Sequence, residues 1–263
     1  MRFPHLFFGL LAISTMLPAC STANRLLKPR PAKLTPFFEQ PDLAHDGREQ
    51  FGFQKVWTTP DRRLLEDSLT KQKLYIAPVT VGHLGPVKKP LAWWGIAWGL
   101  KRHERGIATR LHKEFTRAFE RSPAPYYHLT DGPDRDTVIL QLALTELSPT
   151  SAGGNIFTTA VKFIVTPLVA PLANLGGFFT KGNIAIEGKM LTPRPGKDPP
   201  YRPFFQFADK ESDKFTLFSL RDYQPYGHAV HTIRDWAVHF EELTRAQKGG
   251  RVRDSSAVTL KPY

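Results

Sequence analysis

A chain of 263 residues, 41% hydrophobic and 23% charged, is long enough for one large domain or two small ones and ordinary enough to fold in water. Its single cysteine, Cys20, excludes a disulfide within the molecule. The formal net charge of +12 points to anionic partners.

In chain order, Met1-Arg2 gives a positive start, residues 6–17 are almost purely apolar, and the small residues Ala19 and Ala23 follow, which is the layout of an export signal. The apolar run is well short of the roughly 20 residues that a spanning helix needs, so a cleaved leader is expected and not a permanent anchor. The segment Leu17-Pro18-Ala19-Cys20 resembles the lipobox of bacterial lipoproteins, whose final cysteine takes a diacylglyceryl group and becomes the first residue of the mature chain. That resemblance implies a leader over residues 1–19 and fatty acid (palmitate or a similar acyl chain) on Cys20, with no other cofactor. With Ser21 rather than Asp after the cysteine, it also implies an outer-membrane address facing the periplasm. The alternative is ordinary cleavage after Ala23.

Residues 20–50 read as a lipidated tether. Between 21 and 36 they carry Arg25, Lys28, Arg30 and Lys33 without an acidic residue, and Pro29, Pro31 and Pro36 keep the chain extended. Beside a lipid anchor each base adds about 1 kcal/mol of attraction to an anionic surface. A solvated spacer is the other reading. Removing Arg2 with the leader leaves +11, and the anionic partners in an envelope are lipid headgroups, lipid-linked phosphates and acidic glycans. An exported chain does not meet nucleic acid there.

The folded domain is expected over 51–247, with a flexible tail over 248–263. Pro41-Asp42, Asp46-Gly47 and Pro60-Asp61 make residues 37–69 an irregular lead-in with one short strand over 53–57, and the core is expected to begin after it. Residues 74–81 form a β-rich run and predict a buried strand. The next segment, 88–102, is an apolar excursion: Lys88 and Lys89, then Trp93, Trp94 and Trp98, then Lys101 and Arg102. Tryptophan suits a membrane interface and flanking bases suit phosphates, so these seven residues are membrane-interface candidates. A buried connector whose tryptophans pad the core is the competing reading.

Ile107, Leu111, Phe115, Ala118 and Phe119 predict an amphipathic helix over 104–121. Alternation predicts strands over 137–147 and 183–191, and a Pro-rich turn over 193–203 leads to a short strand over 204–208. Between the first two lies a second apolar excursion, 153–182, in which Pro167 and Pro171 break any continuous helix. It either dips into a bilayer or covers the free face of the sheet. Ala229, Ile233, Trp236, Phe240 and Leu243 predict a last helix over 227–247, stopped by Gly249-Gly250.

The order strand, helix, strand, strand, strand, helix implies an α/β fold, a two-layer sandwich in which a mixed β-sheet carries two amphipathic helices on one face. The phrases YIAPVTV (75–81) and VILQLALTELSPT (138–150) are similar to those of uncharacterised outer-membrane and periplasmic lipoprotein families. More distantly, they resemble the periplasmic core of lipoproteins that serve secretion and transport machines. His228, His231, Asp235 and His239 fall on one side of the last helix and read as a solvated polar face, so no metal site is expected. No catalytic motif is present, neither G-x-S-x-G, nor H-E-x-x-H, nor a Walker loop, nor a dinucleotide fingerprint. The expectation is a non-enzymatic scaffold or adapter with envelope protein partners. An oligomeric secretion or transport component that inserts 153–182 into the outer membrane is the alternative, and an envelope glycan or lipid hydrolase stands third.

Overall fold

In the computed structural model, residues 29–85, 97–148, 182–197, 199–212, 227–246 and 252 are described. Seven strands form one sheet in the order β1-β2-β7-β6-β5-β3-β4. They are β1 (His45–Gly47), β2 (Phe53–Thr58), β3 (Lys73–Ile76), β4 (His128–Leu129), β5 (Thr137–Ser148), β6 (Asn183–Pro193) and β7 (Tyr201–Ser212). β3 is parallel to both β4 and β5, and the remaining pairs are antiparallel. The helices are α1 (Arg62–Ser68), α2 (Ala97–Glu120) and α3 (Gly227–Arg245).

Side-chain alternation decides the layering. Val138, Leu140, Leu142 and Leu144 of β5, Ile184, Ile186 and Met190 of β6, and Phe205 and Phe207 of β7 share one core with Ile107, Leu111, Phe115 and Phe119 of α2 and Ala229, Ile233, Trp236 and Phe240 of α3. The Phe240 ring sits 5.0 Å from Phe207, 5.7 Å from Phe115 and 6.3 Å from Phe119, so one side chain joins both helices to the sheet. Both long helices therefore cover the same face of a mixed sheet, and the fold is the expected α/β sandwich.

The region expected to be an irregular lead-in is part of the core. Phe53 and Val56 of β2 are fully buried, and α1 begins on Asp61, whose carboxylate accepts from the Leu64 amide at 3.1 Å. β2 does not alternate in sequence because Gln54 is buried too. Its backbone N–H donates to Asp209 Oδ1 at 3.2 Å. β3 is shorter than expected: Pro78 cannot donate, and pairing resumes only at Thr80, which bridges Ala143. α2 is helical already at Ala97, earlier than the expected Glu104. β7 starts at Tyr201, with Pro203 accommodated beside a register shift opposite Leu191.

Candidate functional site

One end of the sheet differs from the other. β5 finishes and β6 begins there, with Ser148 opposite Asn183, and β7 finishes opposite the same residue at Ser212. Because β3 and β5 are parallel, the connecting helix α2 must run back, and so it too begins at this end, where the Gly85 amide donates to Thr145 O at 3.0 Å. In α3, Trp236 Nε1 donates to Asp209 Oδ2 at 2.6 Å while Phe240 packs on Phe207, so α3 runs antiparallel to β7 and also begins here. The chain thus leaves the described part and returns to it three times at one end, after Gly85, Ser148 and Ser212.

By sequence, the longest segment between these points is largely apolar and the other two are rich in aromatic and aliphatic residues, with Lys88 and Lys89 in one and Asp213, Lys214, Arg221 and Asp222 in the other. Residues 86–96 contain Trp93 and Trp94, residues 149–181 carry only Lys162 and Lys181 as charges, and residues 213–226 contain Phe215, Leu217, Phe218, Leu220, Tyr223 and Tyr226. Polar loops occupy the opposite end. Residues 130–136 hold Asp131, Asp134, Arg135 and Asp136, and residues 194–200 hold Arg194, Lys197 and Asp198. Asp134 pairs with Lys73 at 2.7 Å, and that hydrogen bond, with others from Thr137 and the Asp136 amide, holds its carboxyl well below the usual range. The connections that leave the two ends of the sheet thus differ in composition.

The face of the sheet away from the helices is covered by the start of the described chain. Residues 29–39 cross it as an extended strap, entering at the apolar end, where Gln54 Nε2 donates both to Pro29 O at 3.2 Å and to Lys210 O at 3.0 Å. Midway, the Thr35 amide and hydroxyl donate to the two carboxylate oxygens of Glu187, each at 2.7 Å. Farther on, the Glu39 amide donates to Gln206 Oε1 at 2.8 Å, and Lys189 pairs with Glu39 at 2.8 Å. Phe38 is buried with Trp57 and Ala208, and Phe37 meets the edge of His83 with the Lys189 ammonium 4.6 Å from its ring centre.

Glu187 is the electrostatic centre of this contact. Burial pushes its carboxyl above the ordinary range, against the hydrogen bonds from Thr35 and the nearby His83, which pull it down. A carboxyl whose folded pKa is raised contributes stability at acid pH that is lost as pH rises through that pKa. Urea midpoints of the native protein are therefore expected to fall between acid and neutral pH by more than those of Glu187→Gln. Identical pH profiles would show that this carboxyl is not buried in solution.

Of the membrane-interface candidates, Lys88, Lys89, Trp93 and Trp94 lie outside the described residues, as do Cys20 and nearly all of the excursion 153–182. Trp98, Lys101 and Arg102 fall in the first turns of α2. His239 does not sit on a solvated face. Its ring packs edge-on against Phe53 and its Nε2 lies 3.0 Å from Phe51 O, in space left open by Gly52, which has a φ of +72°. Among the described residues, no group of three His, Cys, Asp or Glu could hold a metal, and no helix is long and apolar enough to cross a membrane. The strap contact was not read from sequence, because Glu187 and Gln206 occupy alternating positions that look solvent-facing, and only their burial reveals a cover.

A model of the family described as protein of unknown function (DUF3313) matches residues 66–197, from within α1 through β6. No curated protein and no solved structure matches the chain.

Proposed function

The chain belongs to the DUF3313 family of proteins of unknown function, and from that premise we propose that it is a bacterial envelope lipoprotein, acylated on Cys20, whose α/β domain is a non-enzymatic scaffold held end-on against the membrane. The observation that carries this reading is the coincidence at one end of the sheet: the strap enters at Pro29 beside Lys210, and the apolar segment 149–181 and two aromatic-rich segments depart from the same end.

Tether length supports the same orientation. At roughly 3.3–3.6 Å per residue, the stretch from Cys20 to Pro29 spans at most about 30 Å, so a lipid on Cys20 keeps this end close to the headgroups. Lys28 and Arg25 on that stretch add attraction to anionic lipid, and acyl chains with a basic strap form a two-signal attachment. The polar loops at the far end then face the periplasm, where envelope protein partners dock. The outer membrane is the address that Ser21 implies.

The test is the intact mass of the protein extracted from native envelope. The mature chain is expected to begin at Cys20 and to carry diacylglyceryl and fatty acid, and Cys20→Ala is expected to accumulate as uncleaved precursor. A mature chain beginning at Asn24 without lipid would remove the anchor.

A further inference from the structure

We propose that the groove beneath residues 29–39 is a binding site for an extended, proline-containing segment of a partner polypeptide, and that the chain's own strap occupies it at rest. This goes beyond the anchor reading and uses only described residues.

The strap is attached as a ligand is, not as a strand. No residue from 29 to 39 belongs to a ladder. Four of its amides bond to side chains of the groove, Thr35 to Glu187 and Glu39 to Gln206, or within its own turn, in which Phe38 N donates to Thr35 O at 3.0 Å and Phe37 N to Thr35 Oγ1 at 3.2 Å. Removing it breaks no strand pairing. Two aromatic anchors, Phe37 and Phe38, bury themselves on the sheet, while Pro29, Pro31 and Pro36 lower the entropy lost on docking, the combination found in recognition of stiff extended peptides.

The groove also has unused hydrogen-bonding capacity. Gln206 Nε2, Gln54 Oε1 and Thr145 Oγ1 are buried without a partner among the described residues. Gln206 and Gln54 already reach the strap through their other side-chain atoms, and Thr145 lines the crevice beneath Pro31 and Ala32. The resident segment therefore matches the site incompletely, and a segment that reached these three atoms would bind better. The exit is loose: the one-turn helix Pro41–Leu43 that follows the strap buries none of its residues, and Leu43 is 60% exposed. The favoured occupant keeps the strap's pattern, a hydroxyl residue that donates twice to Glu187, followed two and three positions later by aromatic side chains, and adds polar groups that reach these three atoms.

The test uses the full chain with a sequence-specific protease site in place of Pro41–Leu43, and the probe is a fluorescent peptide of residues 29–40. After cutting, the protein is expected to keep its fold and to take up the peptide. The uncut protein should bind it at least ~100-fold more weakly, because a tethered strap competes at an effective concentration near millimolar. A peptide carrying Thr35→Val should bind ~10-fold more weakly or worse, since it loses the donor to a charged acceptor. Unfolding on cutting, no uptake by a folded cut protein, or indifference to the Thr35 substitution would each overturn the proposal.

Discussion

Gly188→Ala is expected to destabilise the protein by about 3 kcal/mol, near the upper end of the usual cost of over-packing a core. A Cβ at this position would lie 2.2 Å from Phe207 Cζ and 2.3 Å from its Cε1. The ring cannot retreat, because Phe53 holds it at 4.4 Å on one side and Phe240 at 5.0 Å on another. Phe207→Leu in the same chain should recover part of the loss, giving a favourable coupling between the two sites in urea denaturation. Gly106→Ala is the control: nothing lies within 4 Å of its added methyl, and on an exposed helical position it should be stabilising by up to about 1 kcal/mol. Equal behaviour of the two glycine variants would mean that β6 does not pass beneath this aromatic stack.

How far the sequence disclosed this fold depends on which physical signal each element carries. β5, β6, α2 and α3 were legible because each exposes one face to a single core, which imposes a period of two or of 3.6 on its apolar residues. β2 was legible as a short strand over 53–57, but not its place in the core, because the buried Gln54, whose side-chain amide donates to Pro29 O and Lys210 O, interrupts its pattern. α1 hid because its signal is a single capping residue, Asp61, ahead of one short turn-rich stretch. β7 was read too short because Pro203 argues against a strand unless a register shift is known to absorb it.

For the candidate site, sequence disclosed composition but not placement. The lipobox-like segment ending at Cys20, the tryptophans of 88–102 and the apolar stretch 153–182 were recognisable one by one. That the two apolar stretches attach at one end of the sheet was not, because it follows from the parallel β3-β5 pair, which turns α2 around and fixes which end of the sheet each connection leaves. The strap was equally hidden: residues 29–39 read as spacer, and only the burial of Glu187 and Gln206 on the far face shows that the chain folds back over them.

End-on attachment predicts a large difference between two single-cysteine labels placed at opposite ends of the sheet. Cys20 is the only cysteine, so in the acylated protein an introduced cysteine is the one thiol open to a fluorophore. Gly85→Cys marks the apolar end at an exposed position where the nearest atom to a Cβ is Thr145 O at an ordinary 3.6 Å. Lys197→Cys marks the exposed turn between β6 and β7 at the other end. Gly85 lies level with Ile186, so most of β6 and the turn beyond it separate the two by about 25–30 Å, beyond the range of a contact quencher held at the bilayer surface. In vesicles containing headgroup-nitroxide lipid, the label at 85 should be strongly quenched and the label at 197 untouched, whereas equal quenching, or the reverse order, would contradict an end-on attachment through the apolar pole.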